Sequence, residues 1–165
     1  NTPADTGLTG LVFGANWFAG LPAFADRAQA AIDDLRLWLA APDDCANDHD
    51  DALERGVRTL LGLGPGLTPS GDDFLIGTLV ALQETGEVER QARLSEIVRR
   101  LAPARTSPIS AAHLLAACDG MASDALHCAF QAILCNAPGL AGELTALAAI
   151  GHSSGWDAGR GGGCD

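Results

Sequence analysis

The stretch from Gly62 to Phe74, GLGPGLTPSGDDF, holds the densest set of chemically capable residues in this 165-residue chain. Gly64, Gly66 and Gly71 alternate with Pro65 and Pro69, which confines the backbone to an unusual, fixed path. The loop opens into an apolar helix, where Ser70 and Asp73 have the S-x-x-D spacing of a capping box. Free N–H groups of that first turn, together with the Thr68 and Ser70 hydroxyls, suit a phosphate or a carboxylate. The same residues also fit a tight helix–helix corner, although a cap alone needs fewer special residues. Asp72 and Asp73 would point about 100° apart on a helix. They could ligate Mg²⁺ with substrate oxygens completing its shell, or simply complement the helix dipole.

Two further segments carry similar chemistry. Arg105-Thr-Ser-Pro-Ile-Ser110 places a guanidinium fork and the hydroxyls of Thr106, Ser107 and Ser110 before a helix, a donor set for carboxylate or phosphate. Gly151-His-Ser-Ser-Gly-Trp-Asp157 follows one helix and opens another. One such segment is an ordinary cap; three in a small helical chain point to a shared pocket lined by helix N-termini, with Ser153 contributing. His152, in a polar turn between Gly151 and Ser153, is the best-placed acid or base of the four His, with a capping role as the alternative. His113 and His127 fall in helical apolar patterns and read as core or boundary residues, and His49 lies in an acidic loop. The spacing Asp43 to Glu54 mimics a calcium loop, but Asp48 stands where that loop requires Gly and Cys45 occupies its third position. His127 with Cys118 and Cys128 lacks zinc-ligand spacing, and no G-x-S-x-G elbow occurs.

The elements that must position these groups read as helices. From Pro22 a stripe of Phe24, Ala28, Ile32, Leu35 and Leu39 predicts a helix ending before Pro42. A second runs over 52–61 with Leu53, Val57, Leu60 and Leu61 apolar and Gly62 at its end. A third, over 71–84, is apolar nearly all round and belongs in the middle of a bundle. A charged helix over 87–101 turns Val88, Leu94, Ile97, Val98 and Leu101 inward. Helices over 109–118, 124–135 and 140–150 follow, the middle one with Ser123 as N-cap. The fold class is mainly α, a helical bundle with a short β segment at the N-terminus. Residues 1–21 read as partial β or irregular, 22–157 as the helical domain and 158–165 as an aberrant or disordered tail.

Composition narrows the function. All ten basic residues are Arg, against 21 acids and a net charge of −11, and Tyr is absent. Schiff-base, pyridoxal-phosphate and Walker-type chemistry need a lysine and are excluded. The acidic balance excludes general nucleic-acid or anionic-membrane binding. Five Cys, an odd number without a C-x-x-C pair, read as free thiols in a reducing compartment. The first residues lack the basic and apolar regions of a secretory signal, and no apolar stretch is long enough to span a bilayer. A cytoplasmic protein is expected.

The motifs GLGPGLTPSGDDFLIG (62–77), RTSPIS (105–110) and GHSSGWD (151–157), in this order, resemble a bacterial family, long listed as a domain of unknown function. That family includes the third subunit of the oxamate carbamoyltransferase of anaerobic allantoin degradation. The resemblance covers roughly residues 50–157. It implies a subunit working with two others in purine or ureide catabolism, on small anionic substrates. The reaction would be phosphorolysis of oxalurate to oxamate and carbamoyl phosphate, or its reverse, which chiefly requires positioning and stabilisation of a developing oxyanion. Carried over, Gly64, Gly66, Thr68, Ser70, Gly71, Thr106, Ser110 and Ser153 would bind the anion, and His152 and Arg105 would act in catalysis. Asp72 and Asp73 would take Mg²⁺ if a cofactor is used, with Asp157 completing the third motif. The alternative is a non-catalytic assembly subunit whose glycine loop is only a corner. Against the family pattern the chain reads as a fragment of a larger α+β protein. It begins part-way into the β-rich region, and AGRGGGCD replaces the apolar helix expected after GHSSGWD. The activity of this chain alone is left open.

Overall fold

The computed structural model describes residues 22–42 and 49–134. Six helices follow one another: α1 (Pro22–Ala40), α2 (Asp50–Leu60), α3 (Ser70–Glu84), α4 (Val88–Arg105), α5 (Pro108–Cys118) and α6 (Asp124–Leu134). No strand occurs among the described residues, so the chain is mainly α. None of these helices is long and apolar enough to cross a membrane. The expected β segment before residue 22, the helix over 140–150 and the tail lie outside the described residues. Helices α1–α5 belong to a compact unit ending at Met121, and α6 to a second unit beginning at Ala122. Within the second unit the Ser123 hydroxyl accepts from the Leu126 N–H at 3.3 Å, the N-cap expected there.

Helix α3 is the hub of the first unit, packed against α2, α4 and α5. Its Leu75, Leu79, Val80 and Leu82 are buried, as a helix apolar on most sides requires. Helix α2 sends Leu53, Val57 and Leu60 into the same core, and Gly56 lets it approach the Ala31 carbonyl of α1. On α1, Ala28, Ile32 and Leu35 are buried as expected. Trp38, rather than Leu39, closes that face: Trp38 is fully buried and Leu39 is 37% exposed. The larger ring removes more apolar surface from water. On α4, Leu94, Ile97 and Val98 face inward, but Val88 is 73% exposed. Helix α4 also runs beyond Leu101 to Arg105, with Pro103 inside its last turn. That proline forgoes one backbone bond on an exposed face, a cost the helix end tolerates.

Cross-helix pairs fix the directions. Asp50 meets Arg93, Glu54 meets Arg100 and the Arg58 carbonyl meets Arg105, so α2 and α4 run parallel. Asp72 meets Ser110 and Gln83 lies against Gly120, so α3 and α5 run parallel too. The glycine-rich loop and the short α4–α5 turn therefore come out at the same end of the unit.

Candidate functional site

Asp72 organises that end. It is fully buried in the first turn of α3, where its carboxylate faces the start of α5. Oδ1 accepts the Gly62 N–H at 2.9 Å. Oδ2 accepts the Ser110 hydroxyl at 2.6 Å and the Thr106 hydroxyl beside it. One buried charge thus collects donors from the α2–α3 loop, the α4–α5 turn and α5, which is how a carboxylate is held out of water without a cation. Burial on one side of α3 separates Asp72 from Asp73, which is exposed. With both its oxygens taken by protein donors, Asp72 is a brace and is not disposed to share Mg²⁺ with Asp73. Among the described residues no group of three or more His, Cys, Asp or Glu converges as a metal site.

The capping box expected at Ser70 does not form, because Ser70 is already the first helical residue and Pro69 holds the cap position without a side-chain bond. Backbone carbonyls serve instead. Leu63 accepts from the Gly71 N–H at 2.9 Å, and Pro69 from Asp72 at 2.9 Å and Asp73 at 3.2 Å. Three glycines are required by close approach: a Cβ on Gly62 would strike the Arg105 carbonyl, one on Gly64 the Ser70 backbone nitrogen, and one on Gly71 the Leu60 carbonyl. Gly62, Gly64 and Gly66 also have φ of 73°, 127° and 93°, where side chains are disfavoured. Ser107 pins the loop from the other side. Its hydroxyl donates to the Leu67 carbonyl at 2.5 Å and accepts the Ser110 N–H at 3.1 Å as the cap of α5.

The outer face of the loop differs in kind from this braced interior. Thr68 is exposed and Ser70 half-buried, and neither hydroxyl is engaged by the described residues. Leu67 is 67% exposed beside them. Asp73 has its carboxyl pushed up to about 6, first by desolvation and then by the Asp72 charge, while His113 pulls it down. His113 is exposed on α5 rather than a core or boundary residue, because the α5 face that packs on α3 is supplied by Ser110, Ala111, Leu114 and Ala117.

Arg105 is exposed at the end of α4 and donates through Nη1 to the Arg58 carbonyl at 3.0 Å. Nearby, Glu54 accepts from Arg58 at 2.6 Å and from Arg100 at 2.9 and 3.3 Å. These two guanidiniums draw its carboxyl down to about 2. Of the anticipated residues, then, Asp72, Thr106 and Ser110 meet directly, and Gly64, Gly66, Thr68, Ser70 and Gly71 form the loop they brace. Arg105 adjoins it through Gly62. His152, Ser153 and Asp157 lie outside the described residues. Two surface hollows lie away from this loop. One of about 280 Å³ sits at the other end, around Gln83, Gln91 and Gly120; one of about 210 Å³ lies along α2 and α4, around Asp50, Glu54 and Arg93. Ser107, anticipated as one of three ligand hydroxyls, serves instead as the cap of α5, and the sequence reading passed over Arg58 and Arg100, whose convergence depends on tertiary pairing.

A family model, oxamate carbamoyltransferase subunit AllH, matches residues 60–162. The match takes in the glycine-rich loop, α3 to α6 and the segment containing His152. No solved structure matches the chain. With well over half of its residues matched, the chain belongs to the oxamate carbamoyltransferase subunit AllH family.

Proposed function

We propose that the chain serves as a subunit of an oxamate carbamoyltransferase complex, alongside two other subunits in the cytoplasm, in allantoin and purine catabolism. The complex would interconvert oxalurate plus phosphate with oxamate plus carbamoyl phosphate. Each species in that exchange is a small anion, so the need is for oriented donors and an electrophilic group near the developing oxyanion. The outer face of the 64–73 loop supplies them in this reading: Thr68 and Ser70 offer hydroxyls and Arg105 adds a guanidinium. His152 and Ser153 bring the acid–base and hydroxyl groups from the third motif. Gly64, Gly66 and Gly71 set the backbone path, while Thr106 and Ser110 act from behind through Asp72. Mg²⁺, if used, would have Asp73 as its nearest carboxylate on the exposed side.

The observation that carries this reading is the contrast across one loop, with Asp72, Thr106, Ser107 and Ser110 engaged behind it and the Thr68 and Ser70 hydroxyls in front not engaged by the described residues. The test is calorimetric titration of the folded chain with phosphate, oxamate and carbamoyl phosphate, with and without Mg²⁺, followed by assay with the partner subunits. Thr68→Ala and Ser70→Ala should each lower kcat/KM by at least about tenfold, the scale of a lost oxyanion donor. A second reading, an assembly subunit whose loop is a corner, is favoured by the first N–H groups of α3 being taken by Leu63 and Pro69. Full activity in both alanine variants, with no heat for any anion, would establish that alternative.

A further inference from the structure

Six large apolar side chains are exposed among the described residues, and four of them are scattered. Leu37 and Leu39 lie on α1 near Arg36, Val88 stands between Glu87 and Glu89, and Met121 follows Asp119 by two residues. Single apolar residues among charges are ordinary surface. Leu67 and Ile109 differ, because the fold brings them together. The Ser107 hydroxyl donates to the Leu67 carbonyl at 2.5 Å, which seats the tip of the glycine-rich loop against the first turn of α5. Leu67 is 67% exposed and Ile109 50%, and Pro65, Pro108 and Ala112 are exposed with them.

Charge, shape and rigidity set this cap apart. No Asp or Glu occurs in 55–71 or 97–118, the two stretches that supply it, although the chain holds 21 acids. Depletion of charge marks the centre of a protein interface. The four residues from Pro65 to Thr68 are all exposed, and a Cβ added to Gly66 would meet nothing within 4 Å, so the tip protrudes. Pro65 and Pro69, the left-handed glycines and the Ser107 bond hold it in one conformation. Little entropy is then lost when it docks.

A protruding loop does not enclose a small ligand by itself, since such sites are concave and bury most of the ligand's surface. Two protruding caps do not fit each other either. A second copy also brings the same net −11, so self-pairing through this end is opposed by shape and by charge. What fits is a concave, apolar surface on a different protein. We propose that Leu67 and Ile109 anchor this chain in an apolar recess of another subunit of the carbamoyltransferase complex. Thr68, next to Leu67, then lies at the seam, where the wall of the recess excludes water from its hydroxyl. The inference rests on the proposed function for the identity of the partner, and the family's description as a subunit supports that choice.

The test co-expresses the full chain with the other two subunits and measures their association by sedimentation, with turnover of oxalurate assayed in parallel. Leu67→Asp and Ile109→Asp should each weaken association by about thirtyfold or more, the scale of an interface anchor. Ile109→Asp puts an acid in the first turn of α5, which the helix dipole favours, so its effect is not that of a lost helix. Leu67→Met should retain association. Leu37→Asp charges a residue of similar exposure, 53%, on α1 and should leave association unchanged. The isolated variants should melt at the parent's temperature. Lowered melting of both cap variants would mean that the cap is covered within the chain, and would overturn the proposal. So would self-association of the isolated chain that Leu67→Asp abolishes, which makes the occupant a second copy. Association indifferent to both cap variants, in a complex that turns over oxalurate, overturns the surface and leaves the functional reading intact. Association lost in both, where the parent complex is inert toward oxalurate, supports the surface and removes the functional reading instead.

Discussion

Asp72 and Asp73 are neighbours in sequence with opposite fates. Asp72 faces inward and collects the Gly62 N–H and the Thr106 and Ser110 hydroxyls. Its replacement by Ala would strand three donors, two of them hydroxyls with little water to turn to. A loss of about 2–4 kcal/mol in urea denaturation is expected for Asp72→Ala, with Asp72→Asn intermediate because one acceptor oxygen survives. Asp73 faces out and has its pKa raised from the ordinary 3.8 to about 6. The folded state therefore holds that proton more tightly than the unfolded chain does. The corresponding stability is fully present below about pH 4 and is lost as pH rises through about 6. Asp73→Asn should flatten this slope and leave the variant more stable than the parent at pH 7. The gain is of the order of 1 kcal/mol once solvent screening of an exposed group is allowed for, and urea midpoints at pH 4 and pH 7 would measure it. Sequence alone put both carboxylates in the first turn of one helix and the 105–110 hydroxyls in the same set. Which carboxylate turned inward depended on where α5 packs, and that is not written locally.

At the scale of elements, α3 was the most legible piece. Its nearly continuous apolar pattern announced a central helix, and its neighbours α2, α4 and α5 surround it. Its glycines separate two physical roles. A methyl on Gly71 would drive into the Leu60 carbonyl, whereas one on Gly77 meets nothing within 4 Å. Gly71→Ala should cost about 2 kcal/mol or more through overpacking against backbone. Gly77→Ala should stabilise by about 0.5–1 kcal/mol through helix propensity and the reduced freedom of the unfolded chain. Thermal melts of the two variants, on either side of the parent, would verify both signs. Helix existence and order among the described residues followed from periodicity, while errors collected at ends. Leu39 fits the stripe by spacing but yields the buried face to Trp38, and Val88 opens α4 on an exposed face; which residue of a helix end turns inward is a tertiary fact.

On the scale of the whole molecule, the core cluster from Ala28 to Cys118 lies entirely within the first unit. A chain cut to residues 22–121 should retain its helicity and unfold in one cooperative transition, followed by circular dichroism in urea. The family match continues past that boundary to residue 162, so such a fragment would lack the third motif with His152, and under the proposed function it should not support carbamoyl transfer in the complex. The Asp72 brace has a further consequence, for assembly. It joins positions 62, 72, 106 and 110, which come together only after α2 to α5 have docked. Ordering of the loop is thus contingent on nearly the whole unit being folded. The loop's outer face is therefore a late product of folding, one that does not exist until the helices behind it have docked.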